Sequence, residues 1–403
     1  MKYIEPKFDA SLLSATSEGK LDYFQRKLLG HPHLEDAYNL ALDSIEFAAK
    51  GEIVAVVGPT GVGTSQLGNK LWREFRSEAT TVDEDGRVLP LVPTIGLTAP
   101  SQAGRIDADY WKRLLAEILH QGGDILIDRK IYVPPSEFIL THPVPYADPL
   151  KKGIDTLIRA TVSMLEQRQT RVLLINQAER LFPESDPAGC VRSQQILMDL
   201  AAQTKTRFVL IGGYQLVRAS CARNNWLRRQ HTVHFRRYDR NNKQEYGHFV
   251  RSLTNLLAFM PTKQRLATLS ETGAMQFYIS TVGCIGTLKK NLLLAFQHAL
   301  RTGESMTEGF ILQFASHNVV ALEIAKEARM GEHLLMDVSS GEVERVLDAG
   351  MPPPDADSAA TVLAKNPRPK APGGGQGFNG RRRIGERKSS RDPVGGRDVK
   401  NNT

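Results

Sequence analysis

Between an apolar run, Ile53-Val-Ala-Val-Val57, and a segment in which Leu67, Leu71 and Phe75 recur at helical spacing stands the stretch Gly58-Pro-Thr-Gly-Val-Gly-Thr-Ser65. Strand, glycine loop and helix in that order are the setting in which backbone N–H groups and a helix N-terminus cradle phosphate. The rule for such loops is Gly, four residues, Gly, Lys, then Ser or Thr. The chain meets it at Gly58, Gly63 and Ser65 and departs from it at Thr64, where the lysine belongs. A lysine there faces the β- and γ-phosphates, an attraction on the order of 4 kcal/mol before desolvation at about 4 Å in an effective dielectric near 20. Threonine supplies one hydrogen bond and no charge.

A second stretch bears on the same site. Arg171-Val-Leu-Leu-Ile-Asn-Gln-Ala-Glu-Arg-Leu181 is an apolar strand that ends in two polar residues, the pattern of a strand completing a nucleotide site at its carboxyl end. Hydrolysis needs Asp there to hold magnesium and Glu to polarise water; the chain has Asn176 and Gln177. Gln177 cannot take a proton, and loss of the water-orienting group alone costs about 10²- to 10⁴-fold. Glu179 lies beyond the strand's end, where it reads as a helix-start or surface carboxylate, and Lys70 lies about two helical turns from Gly63.

The remaining pattern alternates strand and helix, which predicts an α/β fold with a parallel sheet. Residues 1–50 read as a helical segment in which Leu34, Ala37, Leu40, Ala41 and Ile45 share one face and should pack on the core at 51–240. Within that core a strand is expected over Val88–Ile95, helices over Asp107–Leu119, Lys152–Glu166 and Ser193–Ala202, and a strand over Arg207–Gly213. Residues 241–335 read as a helical lid, with Pro261 as a helix start and continuous helices over Thr281–Arg301 and Thr307–Ala328. A linker at 336–364 leads to a tail at 365–403.

Charge singles out that tail. It holds 11 Lys and Arg against 3 Asp and Glu, which is the whole-chain net charge of +8, so the first 364 residues balance to zero. Rich in Gly and Pro, with Phe378 its single aromatic, the tail is predicted to be disordered. Its densest point, Arg381-Arg382-Arg383, is a candidate for salt-dependent phosphate contacts. Nothing predicts a membrane span or secretory leader, which leaves a cytoplasmic bacterial protein as the expectation. Cys190, Cys221 and Cys284 are too far apart for a metal knuckle.

Taken in order, the Gly58 loop, Ile175-Asn-Gln-Ala-Glu-Arg-Leu181, Leu210-Ile-Gly-Gly213, Leu227-Arg-Arg229 and Gly283-Cys-Ile-Gly-Thr-Leu-Lys-Lys290 resemble the AAA+ ATPases of the TniB/TnsC group, regulators of transposition. His31-Pro-His-Leu34 and Leu256-Leu-Ala-Phe-Met-Pro261 add to the likeness, which covers roughly residues 30–325. The resemblance implies an AAA+ P-loop core, a small all-α lid, and self-assembly into rings or filaments on duplex DNA. It also implies a link between a target-selection protein of the TniQ/TnsD kind and the transposase. Gly58, Pro59, Thr60, Gly61, Val62, Gly63, Thr64 and Ser65 would face the phosphates of ATP, with Ser65 toward Mg. Arg228 and Arg229 would meet nucleotide on the same or a neighbouring subunit, whereas Gly286 stands where a sensing arginine is common. Arg105, Lys112 and Arg113 are the candidate DNA contacts of the core. With Thr64, Asn176 and Gln177 all neutral, the expectation is a pseudo-ATPase adaptor working on DNA or beside a related active AAA+ subunit. An atypical active ATPase and a helicase-loader-like scaffold are the alternatives.

Overall fold

The computed structural model describes residues 3–76, 81–82, 88–89, 91–101, 105–123, 153–220, 226, 228–264, 266–337 and 339–348. They fall in two compact units, Met1–Met336 and Asp337–Thr403. The first is an α/β unit, a parallel sheet covered by helices with a glycine loop after its first strand, followed by a helical lid. Its sheet is built from β1 (Ile53–Val57), β4 (Thr94–Thr98), β5 (Val172–Asn176), β6 (Arg207–Gly212) and β7 (Gln230–His234), ordered β4-β5-β6-β1-β7 and parallel throughout. Central strands covered on both sides read as unbroken apolar runs because both faces are core. In β1, Ile53, Ala55 and Val57 enter one cluster, and Val54 and Val56 enter another.

On the first face lie α4 (Ala108–Gln121), α5 (Ile154–Gln167) and α6 (Pro187–Gln203), anchored by Trp111, Leu114, Leu157 and Leu197. On the second face lie α2 (Pro32–Phe47) and α3 (Thr64–Arg76). The apolar stripe of α2 buries Leu34, Ala37, Ala41 and Ile45, whereas Leu40, expected on that face, is 49% exposed. Helix α1 (Ser17–Arg26) goes elsewhere: its Phe24 is fully buried in the lid and meets Phe296 edge-on at 5.8 Å. The segment expected at 1–50 is therefore shared between core and lid.

Several expected boundaries move. Val88–Ile95 is not one strand: β3 (Val88–Leu89) pairs antiparallel with β2 (Thr81–Val82), and β4 begins only at Thr94, after Pro93. A proline lacks the ladder N–H and suits a strand's start, not its interior. The lid holds α8 (Lys243–Ala258), α9 (Glu271–Thr281), α10 (Ile285–Thr302), α11 (Glu308–Leu312) and α12 (Asn318–Leu334); the short α7 (Gln215–Ser220) precedes them in the core. No helix starts at Pro261; α9 starts at Ser270, whose hydroxyl caps the Gly273 N–H at 3.0 Å. The expected run from Thr281 breaks at Val282 and Gly283, both left-handed, and the run from Thr307 is two helices. The helix α12 then returns to the core, where Ala321 and Ile324 join the apolar cluster that holds Phe235 and Cys284.

In the second unit, the expected linker contains helix α13 (Ser340–Asp348), which leaves Val343 and Leu347 exposed. Residues 124–152, together with Cys221 and Arg381, Arg382 and Arg383, lie outside the described residues. No helix among the described residues is long and apolar enough to cross a membrane, and none of their His, Cys, Asp and Glu side chains group as a metal cluster.

Candidate phosphate site

The loop grows from the carboxyl end of β1. The Gly58 N–H donates to Gly212 O at 3.3 Å, and the Val62 N–H closes a turn onto Pro59 O at 3.1 Å. A Cβ on Gly58 would sit 2.5 Å from Phe235 O, so only glycine lets the loop pass. Gly61 and Gly63 adopt φ of 82° and 119°, a region glycine enters without steric cost. Pro59 and Val62 are buried, Thr60 is exposed, and the Phe235 ring floors the loop beneath Gly63. Gln66 and Leu67 both donate to Gly63 O, which starts α3 and leaves the N–H groups of Thr64 and Ser65 directed outward at its first turn. Thr64 is half-buried and Ser65 exposed. This cradle fits phosphate: it offers backbone donors, a helix N-terminus and the Ser65 hydroxyl, without a lysine.

Asn176 closes β5 beside β6, and its backbone carbonyl accepts from the Ala99 N–H at 2.8 Å. Its side-chain Oδ1 is buried without a hydrogen-bond partner and lies 2.6 Å from where a Cβ of Gly68 would stand. An orphaned carbonyl oxygen one turn past Ser65 can accept from a water of a metal's hydration shell, but it brings no charge to neutralise the metal. Gln177 is left-handed, with φ 52°, and exposed.

Beyond it, Ala178–Leu181 form a 3-10 turn that swings Glu179 inward. The Gly213 N–H donates to Glu179 Oε2 at 3.2 Å, and the same oxygen fills the place of a Gly212 Cβ. Gly212 is the residue whose carbonyl holds Gly58. Glu179 is therefore a half-buried carboxylate at the loop's own strand end, not the surface group its place in the sequence suggests. A second carboxylate arrives from α12: the buried Glu327 Oε1 has no hydrogen-bond partner and lies 3.7 Å from the Cβ position of Gly213. No pattern in the sequence joins Glu327 to the loop.

The lid closes on the loop through bare backbone. The Thr287 N–H donates to Gly61 O at 2.9 Å, and a Cβ on Gly286 would lie 2.5 Å from that same oxygen. Any side chain at position 286 would push the lid off the loop. Lys289, one turn further along α10, donates to the carbonyls of Gln25 and Lys27, both at 2.7 Å, and so tethers the end of α1. Lys70 lies over the Tyr38 ring at 3.7 Å, away from the phosphate cradle.

Beside the loop, His31 stacks on Phe235 at 6.0 Å and its Nδ1 meets the Tyr238 hydroxyl at 3.0 Å; His33 stacks on Tyr238 at 4.1 Å. Burial, with His33 adding to it, holds the His31 ring neutral down to about 3. Burial likewise lowers His234 to about 4, where its Nε2 meets the Tyr214 hydroxyl at 2.8 Å.

The arginines expected at the nucleotide lie at the far end of the sheet. Arg228 and Arg229 are exposed just before β7, and Arg229 O accepts from the N–H of Ile53, the first residue of β1. Strands β1 and β7 are parallel, so the length of β1, about 16 Å at 3.3 Å per residue, separates them from their own loop. Their backbone does not adjoin the loop of their own subunit. Arg105 and Arg113 are exposed around the start of α4, with Arg113 over the Tyr110 ring at 5.8 Å. Lys112 is half-buried and paired with Asp109 at 2.9 Å.

No family model and no curated protein matches the chain. Among solved structures, the chain is similar to the Walker-type ATPase of Pyrococcus abyssi, with 14% identity, 82% of this chain and 87% of that chain covered, and TM-score 0.42. It is similar to domain III of the Thermotoga maritima replication initiation protein DnaA, with 10% identity, 73% and 95% covered, and TM-score 0.39. It is also similar to AMPPCP-bound DnaA from Aquifex aeolicus, with 9% identity, 77% and 92% covered, and TM-score 0.32.

Proposed function

We propose that the chain is a regulator or adaptor of DNA transposition that keeps the AAA+ architecture with little or no ATP hydrolysis. One observation carries the loss of chemistry: three groups that should bring charge to one phosphate cradle, Thr64, Asn176 and Gln177, are neutral around a loop whose glycine geometry is kept. ATP would be held by the N–H groups at Gly61, Gly63, Thr64 and Ser65, with Ser65 and Asn176 as neutral oxygens toward Mg. When bound, the metal would offset phosphate charge; the chain's own residues orient the phosphates and exclude solvent through Gly286 and Thr287.

In this reading the protein assembles with itself, or with a related active subunit, on duplex DNA. It joins a TniQ/TnsD-like target-selection protein to the transposase. Arg105 and Arg113 are core contacts for DNA, Lys112 a weaker one because Asp109 holds it, and Arg381, Arg382 and Arg383 are contacts from the tail. Arg228 and Arg229, exposed at the opposite end of the sheet, suit a neighbouring subunit's phosphates. Labelled ATP tests the chemistry: binding without turnover is expected, and turnover abolished by Ser65→Ala would sink the inactive reading. Co-sedimentation with duplex DNA and purified transposase tests the adaptor role, and failure to retain either one at low salt would overturn it.

A second reading, an atypical active ATPase, is favoured by Glu179 and Glu327, the two carboxylates beside Gly212 and Gly213. It requires that Glu179→Gln abolish a turnover that the wild-type chain shows.

A further inference from the structure

Away from the phosphate loop, α9, α12 and the segment 237–241 enclose a groove of about 550 Å³. Its floor is apolar, formed by Val282, Ala321 and Ala325 with Ile279 and Leu322, which are 46% and 55% exposed. Arg237, inside it, is spent on Glu332 through two bonds of 2.7 and 3.1 Å. Arg240 and Arg329 stand exposed at the rim, and neither has an ion pair among the described residues. Exposed apolar surface with two arginines and a single carboxylate, Asp239, around it suits an apolar stripe flanked by carboxylates.

The chain carries such a stripe in α13, Ser-Gly-Glu-Val-Glu-Arg-Val-Leu-Asp. Val343 and Leu347, four residues apart, share one face of the helix and are 47% and 75% exposed. At 100° per residue, Glu342 and Glu344 fall on opposite flanks of that face. We propose that the groove receives α13 of a second copy of the chain, with Val343 and Leu347 on the apolar floor and Glu342 and Glu344 against Arg240 and Arg329. The groove is large enough to admit two branched apolar side chains. A nine-residue helix, about 13 Å long, buries less area than a stable dimer needs, so the contact is weak alone and gains strength where copies are held side by side. It goes beyond the adaptor reading and requires neither DNA nor nucleotide.

Sedimentation of the full chain without DNA or nucleotide, from micromolar to several hundred micromolar concentrations, tests the contact. The expected result is reversible association that Leu347→Asp, or Arg240→Glu with Arg329→Glu, weakens by about tenfold or more. Adding Glu342→Arg and Glu344→Arg to the arginine reversals should restore it. Every substituted side chain is described as exposed, and circular dichroism checks that each variant folds. A monomer at all concentrations, association indifferent to Leu347→Asp, or a charge swap that fails to rescue would each overturn the proposal. DNA retention measured on the same variants reports separately on the adaptor reading.

Discussion

Asn176 Oδ1 lies where α3 comes so close that a Cβ on Gly68 would stand 2.6 Å away. The neutral residue at the end of β5 and the glycine in the phosphate-loop helix are thus one packing unit. Gly68→Ala should gain up to about 1 kcal/mol of helix propensity and lose more to overpacking, since Ile211 Cδ1 is also within 2.9 Å of the new carbon. A net loss of about 1–2 kcal/mol in guanidinium unfolding is expected, with Gly68→Ala/Asn176→Ala recovering part of it.

Introducing the three charges tests the inactive reading directly. Thr64→Lys, Asn176→Asp and Gln177→Glu together should raise ATP turnover by about 10² or more over the wild-type chain. Asn176→Asp alone should be stabilised by Mg, because a buried carboxylate without a cation is costly. A thermal shift identical with and without Mg would contradict the placement of Asn176 at a metal.

Gly286→Ala places a carbon 2.5 Å from Gly61 O and should cost about 1–3 kcal/mol by forcing the lid off the loop. Limited proteolysis should then cut the junction around residues 235–241 faster than in the wild-type chain, whereas Gly309→Ala, on α11 with open space around it, should leave that rate alone.

Lys289 ties α1 to the lid through two carbonyls. Lys289→Met keeps much of the apolar stem and removes both bonds, for an expected loss of about 1–3 kcal/mol. Hydrogen exchange should rise in residues 17–29 and stay unchanged in β5 and β6.

Acid should destabilise the chain through His31 and His234, held at about 3 and about 4 in the folded state by burial. The unfolded rings take protons near pH 6.5, so stability is complete above that value and falls as pH drops from 6.5 toward 4. Near pH 5 the slope should approach about 2.7 kcal/mol per pH unit for the two rings together. Chemical unfolding at pH 7, 6 and 5 measures it, and His31→Gln should remove about half of the slope.

The loop and β5 were legible because their chemistry is local. Glycine spacing, an apolar strand and its two terminal residues lie within a few positions of each other, and β1, β5, α2 and α4 appear close to where the sequence placed them. Strand β7 escaped notice because in Gln230-His-Thr-Val-His234 only Val233 is fully buried, so no apolar alternation marks it. The position of Arg228 and Arg229 follows from the direction of β7, which no pattern in the sequence marks. Glu179 was hidden by a turn that reverses its side chain, and Glu327 by its arrival on a helix far along the chain. Contacts made only in tertiary structure leave no spacing to read.

The last helix of the first unit changes where the functional protein ends. The glycine loop and the strand ends around it lie before residue 300, yet α12 ties the lid to the core: a Cβ on Gly331 would collide with the Tyr214 ring, Arg237 binds Glu332, and Ala321 and Ile324 join the apolar cluster that holds Phe235. A fragment cut before α12 would keep all of the loop's glycines and lose the contacts that brace the lid against them. The smallest piece that keeps the loop in shape is set by a helix outside the loop's own sequence pattern.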